Sequence, residues 1–246
     1  MLAKRSVLIV FIVSLVTACS RPVGTQTSPV QPAPSPSDST VSYFPLKKGA
    51  YWVYRGIVRW TKPDSADVVE EEITWKMEVK EAIRRNEGIG YEMLGAPWDL
   101  AWYEVGRQPS KYGIVHIGNR FYRIQLESLT RLSNEQDNLA DLVDDQDIFL
   151  DTPLAPAIKF CEPDSLSRPD NMYCWRVGEV QPFDASSING VDLPRELWEF
   201  PITKQTMPDI STMYFVPGVG ISGYMYRHHG TISEVDVRLV EYSPGE

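Results

Sequence analysis

Apolar and polar side chains alternate with a period of two in several stretches of this chain. Residues 72–80 (EITWKMEVK) put Trp75, Met77 and two further apolar side chains on one side and polar side chains on the other. Residues 233–242 (SEVDVRLVEY) repeat the pattern. Because successive side chains of a strand point to opposite faces, this period is typical of half-buried antiparallel strands. The alternation therefore limits the globular part of the chain to a fold built mainly from such strands.

Other stretches rich in β-branched and aromatic residues predict the rest of the sheet. Turn-forming residues separate them, and Gly118-Asn119 suits a two-residue hairpin between two of them. The additional strands are expected at residues 51–60, 90–94, 101–105, 112–117, 120–126, 173–180, 197–202, 212–216 and 221–228. We therefore predict a mainly β fold with an antiparallel, strongly curved sheet or open barrel and one or two short helices.

One segment shows helical spacing instead. In residues 133–149, the side chains of Leu139, Leu142 and Val143 would share one face of a helix. Ser133 and the glutamine three residues later suit a capping box at its start. The sequence predicts a short helix here.

The chain begins with a basic segment, an apolar stretch and a cysteine. Lys4 and Arg5 precede apolar residues 7–16, and two small residues lead directly to Cys19. This order is that of a secretory signal peptide, and the apolar stretch is about half of the ~20 residues that a membrane-spanning helix needs. Small residues followed by cysteine resemble the lipobox of bacterial lipoproteins. The resemblance implies a diacylglyceryl group on the Cys19 sulfur; an ordinary secretory signal or a short buried helix is the alternative.

These features divide the chain into three parts. Residues 1–18 are expected to be a lipoprotein signal peptide, and residues 19–42 the lipidated cysteine and a disordered Pro/Ser/Thr-rich tether. The tether has no large apolar residue beyond valine, so it cannot bury enough surface to offset the entropy of ordering it. Residues 43–246 suffice for a single β-rich globular domain.

The charge balance bears on the partners. Acidic side chains number 33 against 24 basic ones, a formal charge of −9, and loss of the signal peptide lowers it by two more. Because negative charge repels phosphates, we expect no nucleic-acid partner. Membrane attachment is expected through the lipid anchor alone, on the outer membrane or on the outer face of the plasma membrane.

The three cysteines have separate expected roles. Lipidation of Cys19 leaves Cys161 and Cys174, which tend to oxidise outside the cytoplasm. We predict a disulfide that closes a polar, proline-containing surface excursion and contributes ~3 kcal/mol to stability. A metal pair is the alternative, although the spacing is unlike C-x-x-C and no histidine lies nearby.

Two motifs resemble a nucleotide-binding site and a metal site, but each is better explained as part of the sheet. Residues 218–223 (GVGISG) match the dinucleotide fingerprint, but a β-like segment follows where that site needs a helix, so a glycine bend is favoured. His228-His229, with His116 as a third ligand, suggests a metal site. Adjacent residues on a strand point to opposite faces, and no spacing matches a zinc motif, so we expect solvated or sheet-edge histidines.

Acidic residues are dense near the predicted helix. They lack the glycine and the ligand order of a calcium loop, so a solvated face is favoured and calcium binding is the alternative. They are Glu135, Asp137, Asp141, Asp144, Asp145, Asp147 and Asp151. No nucleophile motif is present, although a carboxylate pair for glycoside cleavage stays open. We expect no catalytic residue, no metal and no cofactor.

Aromatic residues come in groups that match the predicted strands. Packing in the core is the favoured interpretation, and a cavity or groove for lipid, glycan or peptide is the alternative. The groups are Tyr51, Trp52 and Tyr54; Trp98, Trp102 and Tyr103; Tyr173 and Trp175; Trp198 and Phe200; Tyr224 and Tyr226.

Two segments carry a family resemblance. Residues 43–54 (YFPLKKGAYWVY) resemble the opening of many uncharacterised bacterial secreted proteins and lipoproteins, and residues 214–221 (YFVPGVGI) resemble their closing bend. The resemblance implies a β-rich cell-surface or periplasmic domain and no known activity. We expect Tyr43 and Phe44 to pin the tether to the core, and Gly49 to permit a turn before the first strand.

Three functions follow as expectations. The first is a lipid-anchored extracytoplasmic envelope protein with a non-enzymatic binding or scaffolding role, whose ligand is a lipid, a glycan or an envelope protein. The second is a carrier of an apolar ligand in a curved-sheet cavity, by analogy with bacterial lipoprotein carriers. The third is an envelope-polymer hydrolase. A filled sheet interior would favour the scaffold, an open apolar cavity the carrier, and converging carboxylates the hydrolase.

Overall fold

The structure is a computed structural model that describes residues 42–63 and 65–246. The predicted signal peptide, Cys19 and nearly all of the predicted tether lie outside the described residues. Within these ranges the chain forms one antiparallel sheet of thirteen strands. The strands are β1 (Tyr51–Thr61), β2 (Val68–Arg84), β3 (Ile89–Leu94), β4 (Lys111–Ile117), β5 (Arg120–Ile124), β6 (Ile148–Asp151), β7 (Lys159–Phe160), β8 (Trp175–Val177), β9 (Gln181–Phe183), β10 (Leu197–Gln205), β11 (Asp209–Val216), β12 (Gly220–His228) and β13 (Ser233–Ser243).

Helical structure in the described residues is short. The α-helices are α1 (Leu126–Leu132) and α2 (Pro163–Leu166), and the 3₁₀ turns are Pro97–Leu100, Leu139–Leu142, Asp145–Asp147 and Ala185–Ser187. No helix within these ranges is long and apolar enough to cross a membrane.

The sheet is a meander that curls on itself. Its strand order is β6-β5-β4-β3-β2-β1-β13-β12-β11-β10-β8-β7, with β9 paired to β10 off this path. The first and last strands pair at its centre, where Tyr51 lies opposite Ser243. The outer strands β6 and β7 contact each other. The result is a nearly closed barrel, and the prediction of a mainly β, antiparallel, strongly curved sheet is confirmed.

The predicted strands are found with one exception. The hairpin at Gly118-Asn119 joins β4 to β5, with Ile117 paired to Arg120. The strand predicted at residues 101–105 is wrong, because the chain turns there after the 3₁₀ turn Pro97–Leu100. A proline as the first residue of that turn suits its fixed φ and its missing N–H. The segment is therefore a loop, although its aromatic residues resemble those of a strand.

The helix predicted at residues 133–149 is also wrong. The α-helix α1 ends before it, and Ser133 is the C-cap residue of that helix rather than the start of another. Two 3₁₀ turns follow, because the side chains of Asn138 and Asp144 accept hydrogen bonds from backbone N–H groups two residues on. The leucines at 139 and 142 still pack, together with α1, in a small second cluster that includes Val115 and Ile124.

The interior of the barrel is filled with aromatic side chains along most of its length. A sheet of this width encloses more space than its own inward side chains fill. Phe44 enters from the segment before β1, and its ring centroid lies 5.8, 5.8 and 5.4 Å from those of Trp52, Phe121 and Phe215. Tyr43 stacks on Phe215 beside it. Phe44 is therefore buried in the core and Tyr43 packs against it, as predicted, whereas the tether that they were expected to hold lies almost wholly outside the described residues.

Buried polar atoms in this region find backbone partners. Trp52 Nε1 donates a hydrogen bond to the carbonyl of Val219 at 2.7 Å, and the hydroxyl of Tyr54 donates to the carbonyl of Ile221 at 3.0 Å. Both acceptors lie at the turn that leads into β12, which is the GVGISG segment. The glycines there form a bend between strands, as predicted, and no helix begins in that segment.

The 3₁₀ turn Pro97–Leu100 fills a further part of the interior. Pro97 and Leu100 are buried, and the turn contacts β2 and β12. The carboxylate of Asp99 fixes its position by accepting hydrogen bonds from the backbone N–H groups of Ala96 and Ser110, both at 3.1 Å. The turn therefore lies across the barrel.

The predicted cysteine pair is joined in the structure. Cys161 and Cys174 form a disulfide with their Cα atoms 4.8 Å apart. It closes the excursion between β7 and β8 that contains α2. The disulfide thereby joins the end of the short strand β7 to the start of the short strand β8.

Gly220→Ala is expected to lower the free energy of unfolding by about 3 kcal/mol, since it combines backbone strain with overpacking. Gly220 has φ +105°, and an added Cβ would lie 2.6 Å from the Phe44 ring. Gly49→Ala is the matched control, because Gly49 has φ +80° and an added Cβ would contact nothing within 4 Å. The control should lose only about 1 kcal/mol. Equal losses in urea denaturation would contradict the packing of Phe44 against this bend.

Candidate functional site

A cavity of about 360 Å³ lies beside the packed core of the barrel. Its volume falls within the ~300–1,000 Å³ of small-molecule sites. Side chains from both halves of the sheet and from the 3₁₀ turn Pro97–Leu100 line it. The lining residues are Trp98, Ala101, Trp102, Arg123, Gln146, Asp147, Ile148, Phe149, Trp175, Lys204, Thr206, Asp209, Ser211, Met213, Tyr224 and Tyr226.

Three tryptophans form the aromatic part of the wall. Trp98 and Trp175 are half-buried, and the side of Trp98 away from the solvent packs on Tyr112 and Phe149. Trp102 is 47% exposed. An exposed tryptophan beside an open cavity leaves a large apolar surface in water, which is unfavourable unless something covers it.

The backbone of Trp102 adopts an unusual conformation. Its φ is +54°, in the left-handed region that a bulky residue seldom adopts. The backbone is held there because its N–H donates to the Ser233 hydroxyl at 3.2 Å and its carbonyl accepts from the Arg107 guanidinium at 2.7 Å. The indole lies on the ring of His228, with centroids 4.3 Å apart. The fold thus holds an indole at the cavity at the cost of local strain.

Two cationic side chains face the cavity. Arg123 is exposed on β5, and its guanidinium lies 5.7 Å from the centre of the Trp98 ring. Lys204 is half-buried on β10, and its Nζ lies 5.8 Å from the centre of the Trp175 ring. Burial lowers the pKa of Lys204, and the positive charge of Arg123 lowers it further. The two charges are therefore close enough to repel each other.

Asp147 is a carboxylate of the cavity wall. Burial raises its pKa, an effect that the charges of Arg123 and Lys204 partly oppose. It lies on the short 3₁₀ turn before β6, which brings it between the two halves of the sheet.

A second carboxylate, that of Asp209, belongs to a hydrogen-bonded group. It accepts from the Tyr226 hydroxyl at 2.7 Å and shares a hydrogen bond with Nδ1 of His228 at 2.8 Å. Next to it, the Tyr224 hydroxyl donates to Ser211 at 3.3 Å. Burial raises the pKa of Tyr224 to about 12, so this phenol stays protonated. The group makes one side of the wall polar.

The Asp209–His228 pair resembles two members of a Ser-His-Asp catalytic triad, but the second nitrogen of the imidazole does not face the cavity. A Cβ added to Gly230 would lie 3.6 Å from Nε2 of His228, so this nitrogen faces the loop after β12. His228 contributes nothing to the cavity lining. The second imidazole nitrogen is therefore not placed to take a proton from a bound molecule.

The other sequence-predicted residues lie apart from the cavity. His116 stacks on Phe121 at 4.0 Å between ring centroids, and burial lowers its pKa. His229 is exposed. Of the acidic cluster, Asp137 pairs with Arg131, and only Asp147 reaches the cavity. In the part of the chain that the structure describes, no three His, Cys, Asp or Glu side chains come together as a metal site.

The disulfide excursion borders a smaller cavity of about 230 Å³. The residues that line both cavities are Gln146, Asp147, Ile148, Trp175 and Lys204, and the excursion adds Cys161, Glu162 and Tyr173 to the second. The two cavities are therefore adjacent.

The aromatic groups of the sequence divide between core and cavity. Trp52, Tyr54 and Tyr103 are buried in the core, in agreement with the favoured interpretation. Trp98 and Trp175, with Trp102 and the two tyrosines of β12, line the cavity instead. Sequence reasoning did not single out Arg123, Lys204 or Asp209.

Asp147→Asn is expected to raise Tm at about pH 7 and to leave it unchanged at about pH 3. The raised pKa means that the folded chain binds this proton more tightly than the unfolded chain. Ionisation therefore lowers stability above the folded-state pKa, and this penalty disappears below the unfolded-state pKa, where both states are protonated. Thermal unfolding followed by circular dichroism measures the effect. The exposed control Asp192→Asn should show no gain at either pH; a gain at both pH values for Asp147→Asn would contradict an origin in ionisation.

Comparisons with known proteins give two structural likenesses. No protein-family model matches the chain, and no curated protein matches it. The chain is similar to a Bacteroides fragilis protein described as a candidate exported protein with a YmcC-like fold, at 9% identity and a TM-score of 0.40, covering 82% of this chain and 99% of that one. It is also similar to a Parabacteroides distasonis protein described as a candidate lipoprotein, at 9% identity and a TM-score of 0.37, with coverage of 82% and 99%.

Proposed function

We propose that this protein is a lipid-anchored extracytoplasmic binding protein without enzymatic activity, and that it holds a small ligand with a flat apolar face in the cavity. One observation carries the proposal: a cavity lies beside the tightly packed core of the barrel, and three partly exposed tryptophans border it. Partly exposed indoles around a concave site are the usual means of binding rings and other flat surfaces.

The conformation of Trp102 supports the same function. A left-handed backbone at a bulky residue costs of order 1–3 kcal/mol and tends to occur at functional positions. Here the strained residue is also the most exposed of the three cavity tryptophans, at 47%. A ligand that covers its indole would regain the apolar surface that the unoccupied fold leaves in water.

The cavity wall favours binding over the alternatives. A scaffold would not need a cavity beside its packed core. A carrier of a purely apolar ligand would not need the side chains of Arg123, Asp147 and Lys204 in its wall. A glycoside hydrolase would need two carboxylates that can act on the substrate. Asp209 is engaged in hydrogen bonds with Tyr226 and His228, so Asp147 has no second free carboxylate as a partner in the lining.

The location is proposed from the N-terminal segment. The basic residues, the apolar stretch and the small residues before Cys19 have the order of a lipoprotein signal. Two acyl chains on one residue give lasting attachment, whereas a single chain gives only marginal binding.

The lipid anchor has a direct test. The full chain expressed in a bacterium is expected in the membrane fraction, with diacylglyceryl mass added at Cys19, because the sulfur is the attachment point. Cys19→Ser should leave the membrane fraction and carry no lipid mass. The control is the double variant Cys161→Ser/Cys174→Ser, which should keep the membrane location. Wild-type protein that is soluble and free of lipid mass would contradict the anchor.

The cavity can be tested with the neutral aromatic probe N-phenyl-1-naphthylamine, whose fluorescence rises in an apolar site. We expect one probe per chain in the Cys19→Ser protein, which needs no detergent. Trp102→Gly should weaken binding about tenfold by removing the indole, without lowering Tm, because glycine relieves the strain at φ +54°.

The control for this test is Val105→Ala. Val105 lies in the same loop and is 75% exposed but does not line the cavity, so probe binding should stay at the wild-type level. A probe that does not bind, or that binds Trp102→Gly as tightly as the wild type, would contradict the proposed function.

A further inference from the structure

The cavity holds two cationic side chains that the proposed function does not yet use. We propose that Arg123 and Lys204 bind the anionic group of a ligand whose flat apolar body lies against the tryptophans. This inference rests on the proposed function and names the class of ligand: a carboxylate, sulfonate or phosphate attached to a ring system or an acyl chain.

The first support is that both cations lack an ion-pair partner. Within residues 42–63 and 65–246, neither Arg123 nor Lys204 forms a salt bridge. Arg120, on the same strand as Arg123, behaves differently, because it pairs with Asp145 at 3.3 Å and Asp151 at 3.2 Å. In an acidic chain with a formal charge of −9, carboxylates are available, and these two cations are still left without one.

The second support is the way the charges are placed. Each cation lies beside a tryptophan of the cavity wall: Arg123 is 5.7 Å from the Trp98 ring and Lys204 is 5.8 Å from the Trp175 ring. These distances are at the outer limit of a cation–π contact, so the rings attract the charges only weakly. A ligand between the two walls would meet an aromatic face and a positive charge on each side.

The third support is the charge balance inside the cavity. Asp209 is engaged with Tyr226 and His228. Glu162, which lies near Lys204, accepts a hydrogen bond from Ser165 at 2.9 Å. Asp147 acts on both cations through its field but does not form a salt bridge with either.

Carboxylates therefore lie near both cations, but in the described part of the chain none forms a salt bridge with Arg123 or Lys204, and the two positive charges repel each other. Burial lowers the pKa of Lys204 most, and the charge of Arg123 lowers it further, whereas the charges of Glu162 and Asp147 raise it. A bound anion would relieve the repulsion, and hydrogen bonds between charged partners are among the stronger polar contacts. The planar guanidinium of Arg123 can donate two parallel hydrogen bonds, and the ammonium group of Lys204 lies at the end of a flexible side chain. Together they suit an anion with several oxygens.

The test compares two probes that differ in a single anionic group. 1-Anilinonaphthalene-8-sulfonate carries the same rings as N-phenyl-1-naphthylamine and adds a sulfonate. In the Cys19→Ser protein, the sulfonate probe is expected to bind about tenfold more tightly than the neutral probe. Added salt should weaken only the sulfonate probe, because screening acts on the charge.

Substitutions of Arg123 and Lys204 test whether these two side chains cause the preference for the sulfonate probe. Arg123→Gln and Lys204→Gln should each reduce the ratio of sulfonate-probe affinity to neutral-probe affinity about fivefold, because each removes one positive charge from the cavity wall. The matched control is Arg176→Gln. Arg176 is next to Trp175 on β8, is exposed, and does not line the cavity, so its loss should change neither affinity.

The outcomes separate this inference from the proposed function. Equal binding of both probes, or a sulfonate preference that survives both substitutions, would overturn the anion site while the ligand cavity stands. Failure of both probes to bind would overturn both proposals. Displacement of the sulfonate probe by dodecyl phosphate would support an acyl-chain anion, displacement by 2-naphthoate a ring acid, and displacement by neither would contradict the inference.

Discussion

The need to fill a wide, curled sheet is the constraint on which the rest of this structure depends. Twelve strands in one path enclose more volume than their own inward side chains occupy. The chain supplies additional groups from outside the sheet: Phe44 from the segment before β1, and the 3₁₀ turn Pro97–Leu100 from the connection after β3. The cavity lies beside the core that these insertions help to pack.

The sheet itself could be predicted from the sequence, because half-buried strands leave a strong alternation. Residues 72–80 and 233–242 show it, and both lie within strands of the structure. The two errors fall where local side-chain hydrogen bonds decide the backbone. Asn138 and Asp144 convert a helical pattern into two 3₁₀ turns, and the 3₁₀ turn Pro97–Leu100 leads into a loop that resembles a strand in composition.

The site could be predicted only in part. The sequence identifies Trp98, Trp102 and Trp175 as members of aromatic groups, but it does not show which aromatic residues a barrel leaves uncovered. The sequence does contain an indication that Arg123 and Lys204 face the interior. Arg123 has the same strand phase as Phe121, and Lys204 the same phase as Ile202, so each places a charge where the alternation predicts an inward apolar residue. The two residues lie on strands that are far apart in the sequence, and a single sequence does not show that these strands come together in the fold.

The pairing of β1 with β13 has a consequence for how the chain becomes folded. Tyr51 and Ser243 are partners, so the centre of the sheet is completed only when β13, which lies far along the chain from β1, has joined it. Until residues 233–243 are present, β1 and β12 each expose an unpaired edge, which is prone to pair with other chains. Such long-range pairing makes folding slow compared with that of folds built from local contacts.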